Sequence, residues 1–200
     1  MHKMRMAGLL GAGVLLAGIQ ANAQEHRQLG PHVHGHGRLN IAIEGKTVSM
    51  ELEVPGHDIV GFEHEPSTPD QKQALAKAKA KLADVFALFR VPSAAGCSLK
   101  SADVKTGAEH EDEHEHEEEA HHADQGSAGN HEEHEHHHSE FHVEYSLECS
   151  SPSRLTSMTF DYFAAFPASQ ELDIAVISPK GQSSFEVKRN EPHLDLAGII

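Results

Sequence analysis

Hydrophobic and polar residues alternate along several short segments of the chain, a pattern that is typical of half-buried β-strands. In the segment 47–54, Val48, Met50, Leu52 and Val54 alternate with polar residues. Turn residues separate neighbouring segments, which predicts one hairpin near the start of the chain and a second near its end. The predicted strands are 38–43, 47–54, 97–104, 141–149, 172–178 and 183–188, with hairpin turns at Glu44-Gly45-Lys46 and Pro179-Lys180-Gly181.

The pattern changes to a helical period in the middle of the chain. Thr68 is suited to cap a helix that begins at Pro69, and Gln71 occupies the third helical position expected of a capping box. Hydrophobic residues then recur at helical spacing, and the helix is predicted to end near Arg90, because a proline follows two residues later. The segment 156–166 is compatible with a strand that runs into a short helix.

Together these elements predict an α+β fold with a mainly antiparallel sheet and one long helix over about 69–90. We expect a single domain over residues 24–200, interrupted by an insert at 107–139. Histidine-rich motifs precede two of the predicted strand regions, at 32–36 and 136–142. This echo indicates either two related halves or a chance resemblance.

The start of the chain has the pattern of a secretory signal peptide. Lys3 and Arg5 precede an uncharged hydrophobic run over 7–19, and Ala21-Asn22-Ala23 provides a small-residue cleavage motif. The run is shorter than the roughly 20 residues that a membrane anchor needs. We therefore expect residues 1–23 to be removed on export, with no membrane insertion after cleavage.

Export makes the two cysteines, Cys97 and Cys149, candidates for a disulfide, because an even number of cysteines in an oxidising compartment is usually paired. The bond would close a long loop and stabilise the fold by roughly 4 kcal/mol in the loop-entropy model. The alternative is that both thiolates bind a metal. Neither cysteine, however, has a second Cys or His at the spacing of common zinc motifs.

Charge and composition argue against nucleic acid and anionic membranes as partners. The chain carries 16 Lys and Arg against 31 Asp and Glu, which gives a formal charge of −15, whereas phosphate binding requires clustered cations. Aromatic residues make up only 5%, so stacking surfaces for bases or sugars are not expected either. The chain also has 19 histidines, and this excess points to metal binding.

Ten of the histidines lie in one insert, residues 109–138, together with twelve acidic residues and no Lys or Arg. The insert has no aliphatic side chain larger than alanine, so we expect it to be disordered. Imidazoles and carboxylates bind Zn²⁺ and related ions, and a flexible chain would form several interchangeable sites of modest affinity. Protonation near pH 6.5 would release the metal. The histidines are His110, His114, His116, His121, His122, His131, His134, His136, His137 and His138.

The insert has two other interpretations. A plain acidic spacer would need no histidine, whereas a pH-responsive segment would use protonation itself as a charge switch. Two stretches also match the H-E-x-x-H pattern of metalloproteases, His110-Glu111-Asp112-Glu113-His114 and His134-Glu135-His136-His137-His138. In a tract rich in His and Glu such matches arise by chance, and the pattern requires an ordered helix, so we discount both.

Further histidines lie outside the insert, in segments that we expect to be ordered. The motif His32-Val33-His34-Gly35-His36 places alternate imidazoles on one side of an extended segment, and its glycine would let the backbone turn close to an ion. The segment 55–66 carries two more histidines and three acidic residues. We expect His34, His36, His57 and His64 to be able to close a tetrahedral site. The candidates for ordered metal ligands are His32, His34, His36, His57, Glu63, His64 and His142.

These motifs resemble the ZrgA-type family of periplasmic zinc-binding proteins of Gram-negative bacteria. The resemblance covers essentially the whole chain after the signal peptide, and it implies a periplasmic accessory protein that binds zinc and works with a zinc transport system of the cell envelope. It is carried by His32-x-His34-Gly35-His36-Gly37-x-Leu39-Asn40-Ile41-Ala42, Glu51-Leu52-Glu53-x-Pro55, Ile59-Val60-Gly61-Phe62-Glu63-His64 and the acidic insert.

The expected function is capture of Zn²⁺, with buffering or delivery for uptake, by an ordered histidine site and a flexible capture loop. The same donors would accept other divalent transition metals, so nickel or copper sequestration is an alternative, although only Met50 and Met158 follow the signal peptide as soft copper ligands. A pH-gated interaction protein is a second alternative. The sequence contains no Ser-His-Asp context or Gly-rich phosphate loop, so we expect no enzyme activity and no catalytic residues.

Overall fold

Two β-sheets and several short helices form the fold of residues 33–107 and 139–200, the part of the chain that the computed structural model describes. The strands and helices, in chain order, are β1 (His36–Glu44), β2 (Thr47–Pro55), α1 (Gly56–Val60), α2 (Pro69–Leu82), α3 (Val85–Leu88), β3 (Phe89–Arg90), β4 (Cys97–Thr106), β5 (Glu140–Cys149), β6 (Ser157–Phe160), α4 (Tyr162–Ala165), β7 (Glu171–Ser178), β8 (Gly181–Lys188) and β9 (His193–Asp195).

The larger sheet has six strands in the order β4-β5-β2-β1-β7-β8, and the smaller sheet has the order β3-β6-β9. All neighbouring strands are antiparallel except β1 and β7, which run parallel. The α+β class and the mainly antiparallel pairing are therefore confirmed, as are both predicted hairpins. The parallel contact between the two hairpins was not predicted, because it joins segments that are far apart in the chain.

One face of the larger sheet forms the hydrophobic core. Alternate residues of the strands point inward, and Leu39, Ile41, Leu52, Val143 and Leu172 are each at most 1% exposed. This burial follows from the period-two pattern seen in the sequence. An aromatic group from the smaller sheet and α4 joins the same core; its members are Phe89, Phe160, Tyr162, Phe163 and Phe166.

Helix α2 begins where the sequence predicts. The Thr68 hydroxyl accepts a hydrogen bond from the backbone N–H of Gln71, and the Gln71 side chain accepts one from the backbone N–H of Thr68. This reciprocal capping box satisfies two N–H groups that have no partner within the helix.

The single long helix predicted over 69–90 is not present as one element. Helix α2 ends at Leu82, whose carbonyl accepts a 2.6 Å hydrogen bond from the buried hydroxyl of Tyr145. Asp84 then caps the separate helix α3 by accepting a hydrogen bond from the Ala87 N–H. The helix breaks where Tyr145 of β5 binds the Leu82 carbonyl, and the local helical pattern contains no sign of this distant partner.

Cys97 and Cys149 form the predicted disulfide, with an S–S distance of 2.04 Å. The two residues lie directly opposite each other on β4 and β5. Since both cysteines of the chain are used, neither thiolate remains to bind a metal. The bond joins β4, an edge strand, to the interior of the sheet.

Several predictions fall outside the described residues. These are the signal peptide over 1–23, His32 and the ten insert histidines, and with them part of each motif of the suggested internal repeat. Within the described ranges, none of the helices is long and apolar enough to cross a membrane.

Candidate metal-binding end of the sheet

One end of the six-stranded sheet gathers the segments that carry the ordered histidines. Strands β1, β5 and β7 begin there, and β2 and β4 end there. His36, at the start of β1, pairs with Glu171 at the start of β7, and Pro55, at the end of β2, pairs with Glu140 at the start of β5. Thr106, at the end of β4, lies opposite Phe141. The chain therefore leaves toward the insert and returns from it at this same end.

A tight turn precedes β1 and presents His34. The His36 N–H donates to the Val33 carbonyl at 3.0 Å, and Gly35 has a φ of 87°, which favours glycine. Gly37 serves a different purpose, since a Cβ there would lie 2.5 Å from a methyl group of Val54. The glycines of this motif are thus explained by a turn and by close packing.

Asp58 holds this turn in place from the short helix α1. Its carboxylate is buried, and its two oxygens accept from the Gly35 N–H at 2.8 and 3.0 Å. The following loop turns at Gly61, which caps α1 with a φ of 83°. Asp58 therefore joins the segment of His34 to the segment of His57.

The imidazole rings of His34 and His57 are in contact with each other. Their rings stack with centroids 4.3 Å apart and planes 12° from parallel. The Nε2 atom of His34 lies 2.8 Å from a carboxylate oxygen of Glu63, and Nδ1 of His57 lies 3.6 Å from Oδ1 of Asp58. We call these four residues the paired-histidine cluster. Each imidazole in it has its own carboxylate.

His64 belongs to a different group, near the start of α2. Its ring stacks on Phe62 with centroids 5.1 Å apart. Its Nδ1 atom is 2.9 Å from the Glu65 carbonyl oxygen, and its Nε2 atom is 3.4 Å from the amide nitrogen of Gln71. These contacts direct the imidazole toward the capping box of α2.

His36 lies on the outer face of the sheet beside acidic residues that the sequence analysis missed. Its Nδ1 atom is 3.5 Å from a carboxylate oxygen of Glu171. Oxygens of Glu171, Asp173 and Glu186 lie within 4.8 Å of one another, and the Lys188 ammonium is 2.6 Å from Glu186. The alternation of Glu171 and Asp173 along one strand could have revealed that they share a face.

His142 forms a fourth group, which lies on the same outer face as His36. Its Nε2 atom lies 3.2 Å from Glu140, and its Nδ1 atom lies 4.0 Å from Glu53, which in turn binds Arg38 at 2.9 Å. The hydrogen bond to Glu140 raises the pKa of His142, and the negative charges of nearby carboxylates add to this effect, while partial burial of the ring opposes it. Protons are therefore held more firmly here than on a free imidazole.

The expected four-histidine site is thus distributed over several groups. The structure brings His34 and His57 into contact, with Glu63 beside them, and places His36, His64 and His142 in separate groups at the same end. Among the described residues, the three ligand-type side chains that converge within 4.8 Å are the carboxylates of Glu171, Asp173 and Glu186. Zinc generally prefers nitrogen and sulfur donors to such an oxygen-only set.

Two comparisons with known proteins bear on this arrangement. A family model described as ZrgA family zinc uptake protein matches residues 31–196, which include all of the histidine groups described above. A comparison with individual curated proteins finds no significant match.

Proposed function

Because the chain belongs to the ZrgA family of zinc uptake proteins, we propose that it captures Zn²⁺ in the periplasm and buffers it or delivers it for uptake. Zinc is the cargo in this proposal. Residues 1–23 direct export and are removed, and the remaining chain works with a zinc transport system of the cell envelope. Its role is binding rather than catalysis.

The observation that carries this proposal is the position of Ser139, which follows the insert, relative to the ordered histidines. Ser139, which follows the insert, accepts a hydrogen bond from the Gly56 N–H at 2.7 Å and donates one to the Glu63 carbonyl at 3.3 Å. Gly56 is adjacent to His57, and Glu63 contacts His34. Ser139, the residue that follows the last insert histidine, therefore lies next to the paired-histidine cluster.

The two sets of donors would have complementary roles. The composition of the insert predicts a chain that must be ordered when it binds an ion, so its sites should be numerous and modest in affinity. The ordered histidines are held by strands and by buried hydrogen bonds, so less conformational entropy is lost when they bind. Ions captured by the insert would thus be passed to donors that hold them longer.

Competitive zinc titration against a fluorescent chelator tests this proposal. The proteins are residues 24–200, the same chain lacking 109–138, and a full-length control in which the ten insert histidines are replaced by asparagine. We expect the intact chain to bind several ions, and both altered chains to keep one tighter site that EDTA empties. Loss of all zinc binding in both altered chains would leave the insert as the sole binding element.

The same titration separates the proposal from its alternatives. Nickel or copper sequestration would require one of those ions to be retained at free zinc concentrations that saturate the protein. A pH-gated interaction protein would respond to acidification equally well with chelator present, whereas zinc capture would not.

A further inference from the structure

We propose that His34 and His57 form a two-histidine zinc site with defined ligand atoms, Nδ1 of His34 and Nε2 of His57. Glu63 and Asp58 act as positioning residues that hold the two rings by their other nitrogens. This inference rests on the proposed function, since it takes zinc as the ion, and it names the ordered site within that function.

The contact with Glu63 determines which nitrogen of His34 is available. An ionised carboxylate only accepts hydrogen bonds, so at a distance of 2.8 Å the Nε2 atom of His34 must carry the proton. In a neutral imidazole the lone pair then lies on Nδ1. The His34 side chain is 54% exposed, so an ion in solution can approach this ring.

Asp58 has the corresponding effect on His57 through its charge. Its carboxylate is only 1% exposed and lies 3.6 Å from Nδ1 of His57. This separation is too long for a hydrogen bond, but a negative charge on that side of the ring favours the tautomer with the proton on Nδ1. The lone pair of His57 is then on Nε2, and the side chain is 46% exposed.

A carboxylate behind each imidazole is the usual support of zinc-binding histidines. Such a partner fixes the tautomer and the ring orientation and makes the ligand nitrogen more basic. Asp58 adds a second constraint because it also accepts from the Gly35 N–H. The backbone next to His34 and the helix of His57 are thereby locked to one buried group.

Zinc binding must change the stacking of the two rings. Imidazole lone pairs lie in the ring plane, and rings that are 4.3 Å apart and 12° from parallel direct them along nearly parallel planes. One ion at about 2.0–2.1 Å from both nitrogens requires the rings to tilt toward each other. The remaining coordination positions would be taken by water, which suits an ion that is to be passed on.

The neighbouring acidic group fits zinc less well. Glu171, Asp173 and Glu186 offer oxygen atoms only, and the Lys188 ammonium already lies between two of these carboxylates, at 3.5 Å from Glu171 and 2.6 Å from Glu186. A zinc ion there would have to displace that cation.

The test is nuclear magnetic resonance of ¹⁵N-histidine-labelled protein, residues 24–200, with the ten insert histidines replaced by asparagine. Without metal, long-range ¹H–¹⁵N spectra should show the proton on Nε2 of His34 and on Nδ1 of His57. With ¹¹³Cd²⁺ as the probe for zinc, coupling should appear at Nδ1 of His34 and Nε2 of His57, and both rings should lose their stacking shifts.

Variants distinguish positioning from folding. Asp58→Ala should lower zinc affinity by about 10–100-fold. Asp58→Asn keeps an acceptor for the Gly35 N–H but removes the charge beside His57, so it should restore only part of the affinity. His36→Ala and His64→Ala should leave the affinity unchanged. The double variant Cys97→Ser with Cys149→Ser, at the opposite end of β4 and β5, controls for loss of stability alone.

The outcomes separate this inference from the proposed function. If metal binds but the coupling is found at His36 or His64, the two-histidine site is wrong while zinc capture by the ordered domain stands. If the chain with substituted insert histidines binds no metal, the ordered residues form no zinc site. Both the two-histidine site and zinc capture by the ordered domain are then wrong. Unchanged affinity in a folded Asp58→Ala variant would refute the positioning role.

Discussion

The backbone N–H of Gly56 donates a 2.7 Å hydrogen bond to the carbonyl of Ser139. Through this contact the residue that follows the insert is joined to the start of α1. The approach is close, because a Cβ on Gly56 would lie 2.6 Å from both the carbonyl oxygen and the hydroxyl of Ser139. The return of the insert to the sheet therefore depends on a residue without a side chain.

Replacing Gly56 by alanine should destabilise the protein by about 1–3 kcal/mol, because a buried and closely packed site must accept an extra methyl group. Urea unfolding followed by circular dichroism measures the effect. Adding Ser139→Ala removes one of the two crowded oxygens, so the double variant should recover part of the loss. If wild type and Gly56→Ala are equally stable, Ser139 can move away from the added methyl group without lowering the free energy of unfolding.

Tyr145→Phe should cost about 1–3 kcal/mol, since it leaves the Leu82 carbonyl at the end of α2 without its buried hydroxyl partner. The change removes one oxygen and preserves the ring, so packing against Phe89 is retained. Thermal unfolding measures the loss. Hydrogen exchange should rise in α2 and α3 in particular; a uniform rise over the whole sheet would argue against this role.

Reduction of the disulfide should lower the free energy of unfolding by about 2–5 kcal/mol. The bond closes a loop with a sequence separation of 52 residues and secures the edge strand β4. Unfolding in urea with and without dithiothreitol gives the difference. A double variant, Cys97→Ser with Cys149→Ser, should have the reduced stability and no response to the reductant.

The Glu140→Gln substitution should lower the pKa of His142, because the hydrogen bond to that carboxylate is the main cause of the raised value. A pKa that is higher in the folded than in the unfolded state stabilises the protein fully below about 6.5, and this stabilisation is lost as the pH rises through the folded-state value. Histidine ring signals followed against pH measure the pKa, and urea unfolding at several pH values measures the stability.

Glu144→Gln is the matched control for that titration. Glu144 lies on the same strand, is exposed, and faces Lys105 at 3.8 Å, so its removal should leave the His142 titration in place. Equal shifts in the two variants would mean that general negative charge, rather than the hydrogen bond, raises the pKa.

Predictions from the sequence were most accurate where neighbouring residues determine the structure. The alternation of Val48, Met50, Leu52 and Val54 predicted β2, because a strand with one buried face requires it. The Thr68 capping box likewise predicted the first residue of α2. The end of that helix was wrong, since it depends on Tyr145, which lies 63 residues away in the chain.

For the candidate site, too, the sequence predicted some features and the tertiary structure decided others. Composition indicated metal binding, and the local motifs at 32–37 and 55–66 singled out His34, His36, His57 and His64, because imidazole is the characteristic nitrogen ligand of zinc. Which of them meet is decided by the tertiary structure. The parallel pairing of β1 with β7 places Glu171 beside His36, and the buried carboxylate of Asp58 is unremarkable in the sequence.

The sequence by itself therefore determined the strands of the larger sheet, the start of α2 and the disulfide, which follow from local pattern and from the number of cysteines. Only the tertiary structure decided that the flanks of the insert and the ordered histidines share one end of the sheet. That arrangement depends on long-range strand pairing and on hydrogen bonds such as Gly35 to Asp58 and Gly56 to Ser139. Such contacts join residues far apart in the chain, and no local pattern records them.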